Sequence, residues 1–194
     1  ATDVMRFRIP LPPLETQQRI ADYLDVETAQ IDTTVSTLDE LIEEMKSRRV
    51  QLIQESISSD VNWDMVPLGL VAEFHTGWTP PSGDDRYYGG SHKWANISDV
   101  GTRHLYDTER TISDFALEKQ PGARLALPGD LLFPFKLSIG AVSFACEEMY
   151  TNEAIAVFPP NEKYDLRFAY YAFPYFLLKN AGVNIYGAPL LNST

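Results

Sequence analysis

The sequence predicts an α+β protein in which one mixed α/β domain is joined to a single very long helix. Three observations carry that reading. From Leu14 to Ser58 there is neither glycine nor proline, and Glu, Gln, Leu, Ile and Arg dominate, which is the composition of a long helix. Beyond residue 60 the chain changes to short apolar runs punctuated by Gly, Pro, Asn and Asp, the pattern of strands and turns. With 194 residues, 44% of them apolar, there is enough material to bury a real core.

The opening segment, ATDVMRFRIPLPPL, reads as a strand that runs through three prolines into the helix. Pro12 and Pro13 sit where a helix tolerates proline, in or before its first turn, and Glu15 puts a carboxylate near the positive end of the macrodipole. Counting by sevens along the helix gives Leu24, Ile31, Leu38, Met45 and Leu52, and the positions four residues on are Thr28, Val35, Ile42 and Arg49. This is a heptad seam, clean in the middle and polar at its ends. At 1.5 Å per residue the helix would be roughly 65 Å long. Such a helix either lies along its own domain or faces another helix, and a seam this long and narrow suits the second. The acidic residues Asp39, Glu43 and Glu44 face either water or a partner.

SSDVNWDMVPLG then ends the helix. Strands are expected in MVPLGLVAEF, KWANISDV, ARLALPGDLLFPF, IGAVSFA and AIAVFPP, with the loop HTGWTPPSGDDRYYGGSH between the first two. DLRFAYYAFPYFLLKNAG reads as an amphipathic helix interrupted by Pro174 and closed by Gly182, its buried face carrying Phe168, Tyr171 and Tyr175. Cys146 is expected to be a buried small hydrophobe. Trp78 and Trp94 are either exposed stacking groups or packing groups at strand ends, and packing is the commoner role.

Net charge is −11, divided nearly evenly, with a balance of −6 over residues 1–60 and −5 over 61–194. Any nucleic-acid surface is therefore a local cluster of cations on an acidic protein. There is no long apolar run for a membrane span and no secretory signal pattern, so a cytoplasmic protein is expected. One cysteine excludes a disulfide framework, and His75, His92 and His104 lack metal-ligand spacing and are expected in loops. The chain has no Gly-x-Gly, no G-K-[ST], no H-E-x-x-H and no G-x-S-x-G, and it lacks the Asn/Asp-Pro-Pro-aromatic motif of amino-methyltransferases. Asp84-Asp85 and Glu147-Glu148 read as solvated turn residues. No catalytic apparatus, cofactor or metal is expected.

Several strings together resemble the specificity subunit of type I restriction-modification systems. They are Ile9 to Leu14 with Gln17, then Trp63, Val66, Leu68 and Gly69, then Gly77, Thr79 and Pro80. Tyr88-Gly89-Gly90 with Trp94 follows, then Gly129-Asp130-Leu131-Leu132, Ile139-Gly140, Thr151-Asn152-Glu153-Ala154 and Gly187 to Asn192. The resemblance implies a target-recognition domain over residues 60–194 and a spacer helix over 14–59 that forms an antiparallel coiled coil. It also implies that residues 1–13 supply a terminal strand segment completing the recognition domain of the same copy, as in a circular permutation, or of a second copy by a swap. The chain would then be half of a full specificity subunit, cut at a different point in the cycle.

By the same resemblance the protein binds double-stranded DNA, one domain reading half of a bipartite target. The helix spaces the domains and docks methyltransferase subunits, with a restriction subunit where one accompanies them. A homodimer through Leu24, Ile31, Val35, Leu38, Ile42, Met45 and Leu52 would read an inverted repeat. Base edges are reached by side chains on loops, which makes Arg86, Tyr87, Tyr88, Lys93, Arg103, Arg110, Lys136 and Ser138 the DNA-contact candidates. Lys93, Arg103 and Arg110 would neutralise phosphates. Two alternatives remain at this point: a coiled-coil protein-interaction module without DNA binding, favoured by the acidic charge, and a lone methyltransferase, which would bind S-adenosylmethionine.

Overall fold

The computed structural model describes residues 6–58, 64–136, 140–179, 182–183 and 189–190. The chain divides into two units, Ala1–Ser58 and Ser59–Thr194.

In the first unit, α1 runs unbroken over Leu14–Ser58, 45 residues. Its start explains the proline-glutamine pattern. The amides of Thr16 and Gln17 donate to Pro13 O at 2.9 and 3.0 Å, and the Gln17 side chain turns back to donate to Pro12 O at 2.7 Å. Pro13 O thereby accepts the first bonds of the helix, and the Gln17 amide ties its first turn to the proline segment before it. Thr28, Thr33, Thr34 and Thr37 donate their hydroxyls to carbonyls four residues back, so these β-branched polar residues sit in the helix without competing for another conformation. The seam residues Leu24, Ile31, Val35, Leu38, Ile42, Met45 and Leu52 are 47–60% exposed. Ahead of the helix, Phe7, Ile9 and Leu11 alternate with Arg8 and Pro10 and are exposed.

In the second unit the first apolar run is not a strand. Pro67 fixes the turn that starts α2, Leu68–Val71, with Ala72 N donating to Leu68 O at 2.8 Å; the proline's fixed φ and missing N–H favour that turn over a ladder. Then follow β1 (His75–Thr76), β2 (Tyr88–Ala95), β3 (His104–Leu105), β4 (Arg110–Ile112), α3 (Asp114–Lys119), β5 (Leu131–Pro134), β6 (Ser143–Ala145), β7 (Tyr150–Thr151), β8 (Ile155–Phe158), α4 (Leu166–Lys179), β9 (Gly182–Val183) and β10 (Pro189–Leu190). The three histidines lie in strands, not in loops.

A five-stranded sheet has the order β1-β8-β5-β6-β3, antiparallel except for the β6-β3 pair. Its central strands β5 and β8 are buried at every residue, which is why they read as continuous apolar runs without alternation. Leu131, Phe133, Ala156 and Phe158 pack toward Leu166, Ala169 and Tyr170 of α4. Leu132, Ile155 and Val157 form the opposite layer with Val100, Leu105, Ala126 and Met149. The face of α4 differs from expectation by one position. Phe168 is 53% exposed, whereas Ala169, Tyr170 and Ala172 are buried, because the helix meets the sheet through small residues flanked by rings. Pro174 lies inside the helix, which continues to Lys179.

The start of α4 carries a pH dependence. Asp165 accepts from Arg167 N at 2.7 Å and from its guanidinium at 2.6–3.1 Å, and these bonds hold its carboxyl at about 2, below the ordinary 3.8. A carboxylate depressed in this way favours folding above the ordinary value, and its contribution fades as pH falls from about 4 to about 2. The Asp165→Asn protein should therefore be less stable than the unsubstituted one above about pH 4, with the difference closing as pH falls toward about 2, as followed by urea titration at stepped pH.

A second, three-stranded sheet has the order β4-β2-β7, with β2-β4 antiparallel and β2-β7 parallel. Ile112 opposes both Tyr88 and His92, which marks a bulge in β2. The Gly89-Gly90 pair builds it: Gly89 has φ +75, and a Cβ on Gly90 would lie 2.4 Å from Ile112 O. A side chain would be strained at Gly89 by the backbone angle and blocked at Gly90 by the facing strand. The turn Thr151 to Ala154 carries the chain from this sheet to the larger one, with Asn152 accepting from Ala154 N at 2.6 Å. No helix among the described residues is long and apolar enough to cross a membrane.

Candidate nucleic-acid interface

The small sheet gathers five of the eight candidates. Arg86 and Tyr87 stand in a 3-10 turn, Asp85–Tyr87, immediately before β2. Asp84 caps that turn and also grips the guanidinium of Arg86, accepting from Nε at 2.9 Å and Nη2 at 2.6 Å. The hydrogen bonds from Arg86 push the Asp84 carboxyl below its usual range and the guanidinium above its own. Arg86 therefore keeps its charge in a fixed orientation, with Nη1 outside the pair. Its guanidinium lies 4.7 Å from the Phe115 ring centre, and Lys119 approaches the same ring at 5.3 Å. Tyr87 meets Phe115 edge-on at 5.1 Å. Arg110, across the bulged ladder, lies 6.0 Å from the Tyr88 ring. The result is a patch in which cations alternate with rings, suited to backbone phosphates and base faces.

Lys93 belongs to the same sheet but is engaged. Its ammonium donates to Tyr106 O at 2.6 Å and lies 3.8 Å from the Asp107 carboxylate. Phe115 and Lys119 were not singled out in the sequence. The signal was the short helix DFALEK, whose i, i+4 spacing sets ring and ammonium on one side.

Arg103 and Lys136 belong to the large sheet instead. Arg103 donates to Tyr171 Oη at 2.9 Å and lies 5.4 and 5.8 Å from the Tyr170 and Tyr171 rings. It lines an open groove of about 1010 Å³ together with His104, Tyr106, Cys146, Glu162 and Arg167. Cys146 is half-buried there, with Sγ 3.7 Å from His104 Nδ1, so it is not the buried hydrophobe expected. Lys136 is exposed, 5.8 Å from the Phe135 ring centre. Ser138 lies outside the described residues, as does Trp63. Neither group contains three metal-ligating side chains together, nor does any other set among the described residues.

The loop that leads into Arg86 is fastened at several points. Trp78 N donates to Thr151 O at 2.8 Å, and Trp94 Nε1 donates to Trp78 O at 2.9 Å. Thr79 Oγ1 donates to the Glu153 carboxylate, and Tyr88 Oη donates to Pro80 O at 2.8 Å. Trp94 is 3% exposed and so packs, as tryptophan near a strand end usually does. These bonds join the Gly-x-Thr-Pro and Thr-Asn-Glu-Ala strings, separated by more than seventy residues, into one piece of structure.

The family described as the type I restriction modification DNA specificity domain matches residues 1–44 and 60–188. The chain belongs to that family. Two solved structures share the fold of this specificity domain. One is a chain from work on complex assembly and conformational transition of the type I R-M system, with a TM-score of 0.53, 21% identity, and coverage of 94% of this chain and 48% of that one. The other is the HsdS subunit from Thermoanaerobacter tengcongensis, with a TM-score of 0.50, 21% identity and the same coverages. The specificity domain described here thus spans about half the length of the structures it matches.

Proposed function

We propose that the second unit reads one half of a bipartite double-stranded DNA target for a type I restriction-modification complex. In this reading α1 spaces two such units and docks methyltransferase subunits, and a restriction subunit joins the assembly where one accompanies it. The chain itself is non-catalytic and needs no cofactor. The observation that carries the reading is the cluster of Arg86, Tyr87, Tyr88 and Arg110 on and before the bulged strand β2, within a domain of the type I DNA specificity family. Arg103 and Lys136 would add phosphate contacts from the larger sheet.

The test is equilibrium binding of the full chain to duplex DNA across a salt series. With a handful of phosphates neutralised, log K should fall with log salt at about −0.9 per contact. Arg110→Gln should flatten the slope by about one unit and weaken binding to all sequences alike. Binding without salt dependence, or none at any salt, would instead favour a protein-interaction module, the reading that net charge −11 favours.

The homodimer belongs to the same proposal. Antiparallel pairing of two α1 helices about a point between Ser36 and Thr37 sets Val35 against Leu38, Ile31 against Ile42, Thr28 against Met45, Leu24 against the Arg49 stem and Ala21 against Leu52 of the second copy. That point lies beside Ser36, the central residue of Leu14–Ser58, so the register uses nearly the whole helix. Charge favours it. Asp25 comes beside Lys46 and Glu27 beside Arg48 of the second copy, each pair occurring twice, against one unfavourable Asp32 to Asp39 approach on each side. A parallel pair would instead set Glu27 beside Asp32 of the second copy and give Lys46 and Arg48 no acidic partner across the seam. Residues 1–13 complete a recognition unit as a strand, of the same copy or the second. The alternation of Phe7, Ile9 and Leu11, all exposed in the single chain, supports that part.

A further inference from the structure

We propose that Trp94 and Glu153 are positioning residues that set where the recognition loop 77–87 presents Arg86 and Tyr87, an inference that rests on the DNA reading above. The loop contains Gly77 and Gly83, the residue type that loses most backbone freedom on ordering, and it would be costly to order from solvent alone. It is fastened instead at consecutive residues. Trp78 is held through its amide by Thr151 O at 2.8 Å and through its carbonyl by the Trp94 indole at 2.9 Å. Thr79 is held by Glu153.

Trp94 and Thr151 come from adjacent strands, since Trp94 pairs with Tyr150 and Ala95 with Thr151, and Glu153 comes from the turn that follows. Two of them are deeply buried, Trp94 at 3% and Thr151 at 1% exposure, so their positions are set by the core. At the other end, Ser113 Oγ donates to Arg86 O at 2.5 Å and Ser113 N to Tyr87 O at 3.0 Å. The loop is therefore spanned between two parts of one sheet.

Phosphate contacts tolerate small displacements, whereas base-edge contacts do not, because a bidentate pair needs donor and acceptor aligned within a fraction of an ångström. Loosening the clamp should therefore reduce discrimination between sequences more than it reduces total binding. Trp94→Phe removes one donor and keeps most of the ring. Glu153→Ala removes one acceptor at an exposed site, and Glu153→Gln keeps an oxygen that the Thr79 hydroxyl can donate to.

The experiment uses the full chain and a library of random-sequence duplexes. The wild type is carried through selection and sequencing, and each protein is then measured for affinity to the enriched duplex and to the unselected library. We expect Trp94→Phe and Glu153→Ala each to lower the ratio of the two affinities at least tenfold, with library binding within twofold of wild type, and Glu153→Gln to retain the ratio. Exchange of the Trp94 indole proton, read by NMR, should be faster in Glu153→Ala than in wild type. A ratio unchanged in both variants, or equal losses on enriched and random DNA, would overturn the positioning role while leaving DNA reading intact. A wild type that enriches no sequence and binds the library without salt dependence would overturn the DNA reading, and this inference with it.

Discussion

Gly77→Ala should lower the stability of the recognition unit by about 3 kcal/mol or more, a melting-temperature loss of roughly 6–12 °C for a domain of this size. A Cβ at position 77 would lie 1.7 Å from Thr151 O and 2.3 Å from its carbonyl carbon. No side chain can swing aside to relieve that overlap, because the obstacle is backbone. Nor can the backbone yield cheaply: Thr151 pairs with Ala95 in the small sheet, and its carbonyl accepts from Trp78 N at 2.8 Å. Moving it would break the bonds that fasten the loop, so the lost hydrogen bonding adds to the overpacking. Gly83→Ala supplies the control. Nothing lies within 4 Å of a Cβ there, and the change should fall within about half a kcal/mol of zero. Thermal unfolding of the two variants beside wild type decides the matter. A Gly77→Ala protein that melts with Gly83→Ala would mean that Gly77 and Thr151 do not approach as described.

The sequence made some elements legible and hid others for physical reasons that differ from case to case. The long helix was legible because a stretch free of glycine and proline with a heptad pattern has few other solutions. Strands β5 and β8 were legible as apolar runs bounded by turn residues, and the Gly129-Asp130 turn before β5 follows its composition, with Asp130 accepting from Leu127 N at 2.8 Å. The run from Met65 to Phe74 misled because its apolar content suits a strand while Pro67 starts a helical turn. The face of α4 is ambiguous in sequence because five rings within the eight residues 168–175 allow more than one stripe, and the tight contact with the sheet selects alanines that carry little hydrophobic signal of their own. In the candidate site, residue type pointed to the cations but not to their partners. Lys93 reads like any surface lysine until Tyr106 O and Asp107 are brought to it by the fold. The link between Thr79 and Glu153 is likewise a long-range contact, and only the three-dimensional arrangement explains why the two short strings that contain them occur together.

Replacing Leu38 and Ile42 together by Glu should convert the proposed dimer to a monomer. In the antiparallel register each residue meets an apolar partner of the second copy, Val35 and Ile31 respectively, and the two-fold axis doubles both layers, so four apolar side chains lose their burial at once. Each is about half exposed in the single chain, so the gain on pairing is a part of the full burial value, about 1 kcal/mol per side chain and about 4 kcal/mol in all. That amounts to roughly a thousand-fold in the dissociation constant. The new carboxylates also enter a helix whose middle already holds Asp39, Glu40, Glu43 and Glu44, which adds repulsion between copies. Light scattering over a concentration series reads the outcome directly: wild type at twice the chain mass, the variant at the chain mass, with helix content by circular dichroism retained in both. A second pair of variants tests the register. Lys46→Glu with Arg48→Glu should weaken the dimer, and adding Asp25→Lys with Glu27→Lys to the same chain should restore it, since antiparallel pairing brings those positions together. Restoration would also fix the geometry of the DNA experiment, because two recognition units related by a two-fold axis read an inverted repeat. A wild type that is monomeric throughout would remove the homodimer from the proposal and assign the seam to a different helix.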